Sequence, residues 1–314
     1  MRQEKGLSLS VIIATKDRFE DLARCLRSLI NQSEPPETVI IVDASKKEGL
    51  EKIAKHIIGE SCSINLIYEK SQPGLTYQRN KGLSLSRDDL VLFLDDDVIL
   101  DEHYIRELKK IFREDIEGKI GGATGKLMNM FHFHLFSILI RKMFFLSEPG
   151  RGEVKKSGAH NLISDQLSRL TEVEWLPGFN QAYRKEVFRY ETFDENMYGY
   201  SYLEDLDFSY RVGKRYKLVY TPNARIIHNY KDSPQTRLKW YEKQKMYMVN
   251  YYYLFKKLLP QRLDYQFCHY WSYLGQIIRS LVLLRNLGAL MGTLHGIWIN
   301  ISGKNPLLKK LECK

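Results

Sequence analysis

Residues Leu90-Val-Leu-Phe-Leu-Asp95-Asp-Asp97 run from five apolar side chains straight into three carboxylates. The apolar part has the length of a fully buried strand. Three adjacent acids repel one another unless a cation sits among them. Side chains alternate along a strand, so Asp95 and Asp97 share a face, and Asp96 takes the other unless the strand has ended. A hard divalent cation, Mn2+ or Mg2+, suits carboxylate oxygens and relieves the repulsion. A solvated loop entering a helix over about Asp101 to Phe112 accounts for the same acids, because carboxylates are favourable near a helix N-terminus.

Upstream of that run, strand and helix patterns alternate. Apolar and β-branched stretches predict strands over residues 8–15, 38–42 and 64–68. Apolar residues at helical spacing predict helices over 19–31, 49–58 and 75–85. Repeated βα units imply a mostly parallel sheet with helices on both faces. Such sheets bind ligands outside the carboxyl ends of their strands. Polar residues gather at those ends: Thr15 and Asp17 after the first strand, Asp43 after the second, Gln72, Gly74 and Arg79 after the third. Together with the acid triplet they point to a nucleotide-type pocket.

At 314 residues the chain holds one large domain or a domain with an appendage. Its four cysteines are far apart, with no C-x-x-C pair, so neither a zinc site nor a disulfide framework is indicated. A reducing, cytoplasmic setting is the simplest expectation. Net charge is +10, and residues 231–314 carry 14 Lys/Arg against 4 Asp/Glu, so the remainder is neutral in sum. That profile excludes a protein binding nucleic acid with its whole surface. It suggests a basic, aromatic helical tail that meets an anionic membrane, on the inner face of the cell membrane. A helical cap packed on the core fits the tail as well. Residues 131–146 are strongly apolar but too short and too interrupted by His132, His134, Arg141 and Lys142 to span a bilayer. They read either as a core helix or as a helix lying at a membrane surface.

Six stretches, in order, resemble the family 2 glycosyltransferases, which have a GT-A fold. They are Ser10-Val-Ile-Ile-Ala-Thr-Lys-Asp-Arg18, Val39-Ile-Ile-Val-Asp-Ala-Ser45, Gly74-Leu-Thr-Tyr-Gln-Arg-Asn-Lys-Gly82, Asp95-Asp-Asp97, Trp175-Leu-Pro-Gly-Phe-Asn-Gln-Ala-Tyr-Arg184 and Tyr202-Leu-Glu-Asp-Leu-Asp-Phe-Ser-Tyr-Arg211. The resemblance implies a GT-A domain over residues 1–230, with a nucleotide-sugar half of about 1–117 and an acceptor half of about 118–230. Residues 231–314 lie outside it as the helical region. It further implies an inverting, metal-dependent transfer from a nucleotide-diphosphate sugar, UDP- or dTDP-linked, to a saccharide or lipid-linked hydroxyl in polysaccharide or glycan synthesis.

The resemblance also implies roles. Asp43 meets the base, Thr15 the base or ribose, Arg79 the nucleotide and Asp95 the ribose. Asp97 binds the metal with Asp96 nearby, and His228 can complete the metal shell. Asp205 is the catalytic base, with Trp175, Gly178 and Glu204 on the sugar or acceptor side. Other readings stand beside these. Glu204, Asp205 and Asp207 make an acidic first turn that a helix dipole favours without any ligand. His228 suits a core histidine, and Trp175 and Phe179 suit packing as well as stacking on a sugar. Ala14, Asp17 and Ala44 depart from common family residues, Ala44 where a second acid after Asp43 is frequent, and Pro177 and Phe179 flank Gly178 where small residues are usual, which points to a reshaped acceptor or sugar pocket. A sugar nucleotidyltransferase shares the α/β sheet and the carboxylate metal site, but Ala14-Thr-Lys-Asp-Arg18 lacks its Gly- and Arg-rich loop. A non-catalytic nucleotide-sugar-binding protein is the third alternative.

Overall fold

A computed structural model describes residues 6–61, 63–229 and 239–311. In chain order the strands are β1 (Leu9–Thr15), β2 (Thr38–Asp43), β3 (Asn65–Lys70), β4 (Leu90–Asp95), β5 (Val98–Leu100), β6 (Ile120–Leu127), β7 (Pro149–Gly150), β8 (Leu162–Ile163), β9 (Thr171–Val173), β10 (Asn180–Arg184) and β11 (Lys217–His228). The helices are α1 (Phe19–Ile30), α2 (Leu50–Gly59), α3 (Leu75–Leu85), α4 (Tyr104–Glu114), α5 (Leu135–Met143), α6 (Glu204–Val212), α7 (Trp240–Leu258), α8 (Leu263–Ile278) and α9 (Leu287–Ile301).

These elements group into two compact units. The first comprises Met1–Met130, Asp165–Phe193 and Arg211–Lys231, the second Phe131–Ser164, Asp194–Tyr210 and Asp232–Lys314, as far as those residues are described. The boundary expected between residues 230 and 231 lies outside the described residues. Chain order and compactness differ here: two segments from inside 118–230 cluster with the C-terminal helices.

The first unit holds a mixed sheet ordered β3-β2-β1-β4-β10-β6-β11-β5, with β9 paired to β11. Its β3-β2-β1-β4 half is parallel, as the alternating βα pattern predicts. Beyond it, β10 runs antiparallel to both β4 and β6, while β6 and β11 are parallel. The expected α/β architecture of GT-A type is what forms. Every residue of β4 from Leu90 to Leu94 is buried, which is why that run carries no polar residue before its end. On one side of the sheet, Leu22, Leu26 and Leu29 of α1 and Ile105, Leu108 and Phe112 of α4 close one continuous core.

The strand β6 reads poorly from sequence because Gly121 and Gly122 weaken a strand pattern. Both lie under aromatic rings. A Cβ on Gly121 would sit 2.4 Å from Tyr216 Cβ, and one on Gly122 would sit 2.8 Å from the Tyr183 ring. The glycines make room for the rings that cover this part of the sheet.

The second unit is helical. α9 packs on α7, and α8 on α9. Its interior is rich in polar groups, many of them hydrogen-bonded to one another. Tyr251 donates to Ser157 O at 2.7 Å, Asn300 Nδ2 donates to Met248 O at 2.9 Å, and Asn305 Nδ2 donates to Asn300 Oδ1 at 2.8 Å. Lys257 lies 2.7 Å from Asp194 and 2.8 Å from Asp207. Within the stretch 131–146, α5 spans Leu135–Met143 and none of its residues is buried, while Phe144 and Leu146 after it are. The core-helix reading is therefore corrected for α5. No helix among the described residues is long and apolar enough to cross a membrane.

Candidate functional site

Strand geometry delivers the first group. β1, β2 and β4 end in register at Thr15, Asp43 and Asp95, with Thr15 beside Asp43 and Ala14 beside Asp95. The chain leaves β4 after Asp95 and re-enters the sheet as β5, whose Val98 faces His228 at the end of β11. Asp95, Asp97 and His228 thereby converge, each offering one ligand atom within 4.8 Å of the others. His228 Nε2 lies 2.9 Å from Asp97 Oδ1 and 3.9 Å from Asp95 Oδ2. Asn129 fixes the His228 backbone: its Nδ2 donates to His228 O, and its Oδ1 accepts from His228 N. The Phe179 ring lies 4.8 Å from the imidazole.

Asp97 is held from two sides. Arg18 Nη2 donates to Oδ2 at 2.8 Å, leaving Oδ1 toward His228 and Asp95. Asp96 lies past the strand end and turns away from this pair. It accepts from Thr15 Oγ1 at 2.7 Å and lies 3.4 Å from Arg18 Nη1. Arg79 is 2 % exposed and reaches Asp95 Oδ1 at 3.2 Å and Gly178 O at 2.8 Å. It thus ties the β4 end to the segment before β10.

The charges follow from these partners. Burial pushes the Asp96 carboxyl up to about 7, against the pull of Arg18 and the Thr15 hydroxyl. Burial acts the same way on Asp97, but the His228 contact and Arg18 outweigh it and hold that carboxyl below its ordinary value. For His228, burial opposes protonation, and the surrounding Asp97 and Asp95 overcome it and raise the pKa. Asp97 and Asp95 thus favour positive charge beside them, as the raised His228 pKa shows. Two carboxylate oxygens and an imidazole nitrogen at these separations fit a divalent cation of the Mn2+ or Mg2+ type, which would take the place of the proton between His228 Nε2 and Asp97 Oδ1, 2.9 Å apart.

Asp43 is fully buried. Its Oδ2 accepts from Tyr68 and from Lys70 Nζ at 2.6 Å, and its Oδ1 from Ser45 N at 2.7 Å. Burial raises its pKa, and Lys70, Ser45 and Tyr68 more than reverse that. Gln78 links the same strand ends, donating to Thr15 O and Val42 O. Trp175 is 4 % exposed and packs within the first unit; Gly178 is buried.

Asp205 and Glu204 belong to the second unit, on the first turn of α6. Glu204 and Asp207 are buried there, while Asp205 is partly exposed. Asp205 Oδ1 accepts from Leu206 N at 2.8 Å. Of the three acids on that turn, Asp205 is the accessible one.

Sequence reasoning assigned no role to Arg18, Lys70, Tyr68, Gln78 or Asn129. Arg18 and Lys70 stood at strand ends and carried a positional signal. Asn129 carried none, since its partner is a backbone 99 residues away.

The model of the family described as glycosyl transferase family 2 matches residues 10–189. The glucosyl-dolichyl phosphate glucuronosyltransferase of Haloferax volcanii is 26 % identical over 121 residues, 38 % of this chain and 38 % of that protein. Glycosyltransferase GlyA of Streptococcus pneumoniae is 26 % identical over 130 residues, 40 % of this chain and 18 % of that protein. The chain thus spans less than half the length of these relatives. Among solved structures, the mannosyltransferase PcManGT from Pyrobaculum calidifontis, in complex with GDP-Man and Mn2+, superposes with a TM-score of 0.59 at 11 % identity, covering 94 % of this chain and 87 % of that one. TarS of S. aureus in complex with UDP-GlcNAc gives 0.57 at 16 % identity, covering 92 % and 79 %. At those identities the likeness bears on the fold. Since the family model covers more than half of its length, the chain belongs to glycosyl transferase family 2.

Proposed function

We propose that this chain transfers a glycosyl group from a nucleotide-diphosphate sugar to a hydroxyl acceptor, with inversion at the anomeric carbon. The observation that carries the reading is the convergence of Asp95, Asp97 and His228 at the ends of β4 and β11. That is the edge where parallel sheets bind ligands. In this reading Asp43 and Thr15 meet the nucleoside, Arg79 orients the nucleotide beside Asp95, and Asp97 and His228 hold the divalent cation. When bound, that cation stabilises negative charge on the departing diphosphate.

Asp205 takes the proton of the acceptor hydroxyl. The oxygen bonds to the anomeric carbon as the bond to the diphosphate oxygen breaks. The nucleoside diphosphate leaves with the electron pair. Trp175, Gly178 and Glu204 shape the sugar and acceptor side. An acceptor carried on a membrane lipid fits the basic C-terminal helices and the activity named for the Haloferax volcanii relative. It would place the enzyme at the inner face of a membrane, in glycan or polysaccharide synthesis.

The test is a panel of UDP-, GDP- and dTDP-sugars with Mn2+ or Mg2+, read by thermal shift and by product. Release of nucleoside diphosphate supports the reading. Release of pyrophosphate, or no turnover with Asp205→Asn indistinguishable from wild type, defeats it.

A further inference from the structure

α8 and α9 are built inside out. The buried residues of α9 are Ala289, Gly292, Thr293, Gly296 and Asn300, and those of α8 are His269, Ser272, Tyr273, Gly275 and Gln276, the Tyr273 hydroxyl hydrogen-bonded to His269 and Asn300. Small and polar residues face inward. The large apolar residues face outward at helical spacing: Leu263, Phe267, Tyr270, Trp271 and Leu274 on α8, then Leu287, Met291, Leu294, Trp298 and Ile301 on α9. A helix covering a water-soluble core has the opposite pattern. Small residues at the helix contact, polar groups hydrogen-bonding between helices and apolar residues outside are the packing of helices in lipid.

The packing depends on this inversion. A Cβ on Gly292 would lie 2.2 Å from Tyr241 O, and one on Gly296 would lie 2.5 Å from Met248 Cβ, so α9 rides on the backbone of α7. Ser280 Oγ and Thr293 Oγ1 meet at 3.1 Å across the following turn. α5 continues the apolar surface. Leu135, Phe136, Leu139 and Met143 are exposed. Trp271 Nε1 donates to Met143 O at 2.9 Å, and the Trp271 ring stacks on Phe144 with centroids 5.4 Å apart.

Cations border these stripes. Lys142, Arg262, Arg285, Lys304, Lys309 and Lys310 are exposed, and Lys304 Nζ sits 4.5 Å over the Trp298 ring. Charge selects the occupant: a second copy would bring one cation-rich face against another, whereas anionic headgroups neutralise it. Length selects the depth. α9 has 15 residues, about 22 Å at roughly 1.5 Å per residue, short of a hydrocarbon core about 30 Å thick; α8 has 16 and runs on into a π-helical turn, Arg279–Leu283, and neither is long and apolar enough to cross a membrane.

We propose that α5, α8 and α9 insert their outward apolar stripes into the headgroup–acyl boundary of one leaflet of an anionic bilayer, with the flanking Lys and Arg on the headgroup phosphates. The inference deepens the membrane-side reading above: it replaces adsorption of a basic tail by insertion of an apolar surface.

The experiment floats full-length protein with vesicles of phosphatidylcholine and phosphatidylglycerol in equal parts, at low salt and at about 1 M NaCl, where the Debye length falls to about 3 Å. Insertion predicts flotation that survives high salt, with a blue-shifted tryptophan emission. The triple variant Leu287→Ser/Met291→Ser/Leu294→Ser should lower partitioning by roughly tenfold or more, given about 0.8 kcal/mol per buried methylene. Its circular dichroism and melting should match wild type, because all three side chains are exposed. Flotation only at low salt overturns insertion while leaving a charge-docked enzyme standing. No flotation, or a salt-resistant oligomer that the triple variant dissociates, also overturns it. Nucleoside diphosphate release with a soluble acceptor is scored separately, so failure of the transferase reading registers independently of the vesicle result.

Discussion

His228 and His269 are both buried, and their neighbours give them opposite characters. His269 Nδ1 donates to Ser157 O at 2.7 Å, and its Nε2 accepts from Tyr273 at 3.1 Å. Its ring stacks on Phe255 at 4.0 Å. Every partner is neutral, and burial pushes the pKa down to about 4. His228 faces Asp97 and Asp95, and its pKa rises. The same contrast separates the two regions around them. In the helical unit, buried polar groups close on one another and leave little for a ligand to do. At the strand ends charged groups face one another, Asp95, Asp96 and Asp97 against Arg18, Arg79 and His228, which is how a site for cations and phosphates differs from a hydrogen-bonded core.

The largest effect expected in the helical unit tests whether its polar interior is purely structural. Lys257 balances Asp194 and Asp207, whose side chains are 5 % and 0 % exposed. Replacing it, Lys257→Met, leaves two buried carboxylates without their cation and should cost about 3–5 kcal/mol of stability. Urea denaturation reads this directly. Turnover per folded molecule should stay near wild type; a stable but inactive variant would break the distinction drawn between the regions.

The reciprocal change at the strand ends is Asp97→Asn. It should lower turnover by roughly 10²–10³-fold, the size expected when one fixed electrostatic contact to developing charge is lost. The Mn2+-dependent thermal shift should disappear. Stability should also fall, because Arg18 keeps Asp96 and Asp21 as partners but buried His228 loses the carboxylate beside it.

A pH series probes the neutral histidine. In the unfolded chain an imidazole takes its proton near pH 6.5, whereas folded His269 does so only near 4. Between those values the unfolded chain binds more protons, so stability falls as pH drops across that window, by on the order of 3 kcal/mol. Asp194 adds to the loss at lower pH: burial raises its pKa, but Lys257 and Tyr253 hold it well below the usual carboxylate range, and its protonation removes what they contribute. Urea midpoints from pH 7 to 4 should slope less steeply for His269→Asn than for wild type, with a remainder from His160, which burial also pushes down to about 4.

The strand ends were legible in sequence because a buried strand is a continuous apolar run, and the first polar residue after it marks the ligand edge. Thr15, Asp43 and Asp95–Asp97 were all found that way. The C-terminal helices were legible as helices but not in orientation. Periodicity shows that Leu287, Met291 and Leu294 share a face; it does not say whether that face meets protein, water or lipid. The apolar stretch around α5 was ambiguous for the same reason. His269 went unnoticed because its partners, Ser157 and Tyr273, come from segments whose proximity only the fold creates.

Arg18 offers the finest test of how the acid cluster is set. It sits three residues past the end of β1 and grips Asp97 Oδ2 and Asp96 Oδ1 while also reaching Asp21. With Oδ2 held, Asp97 presents Oδ1 to His228. Arg18 is thus a positioning residue, acting through Asp97. Its planar fork serves two carboxylates at once, which a lysine ammonium on a flexible stem does less well. Groups that orient a metal ligand typically contribute 10–100-fold in metal affinity. Arg18→Lys should therefore weaken Mn2+ binding by about 10-fold and Arg18→Gln by about 100-fold, measured by titration calorimetry. Charge alone predicts the reverse order of merit. Removing a cation from beside the site would tighten binding of another cation, so Arg18→Gln would bind Mn2+ more strongly than wild type. The sign of that single change decides whether geometry or net charge governs the cluster.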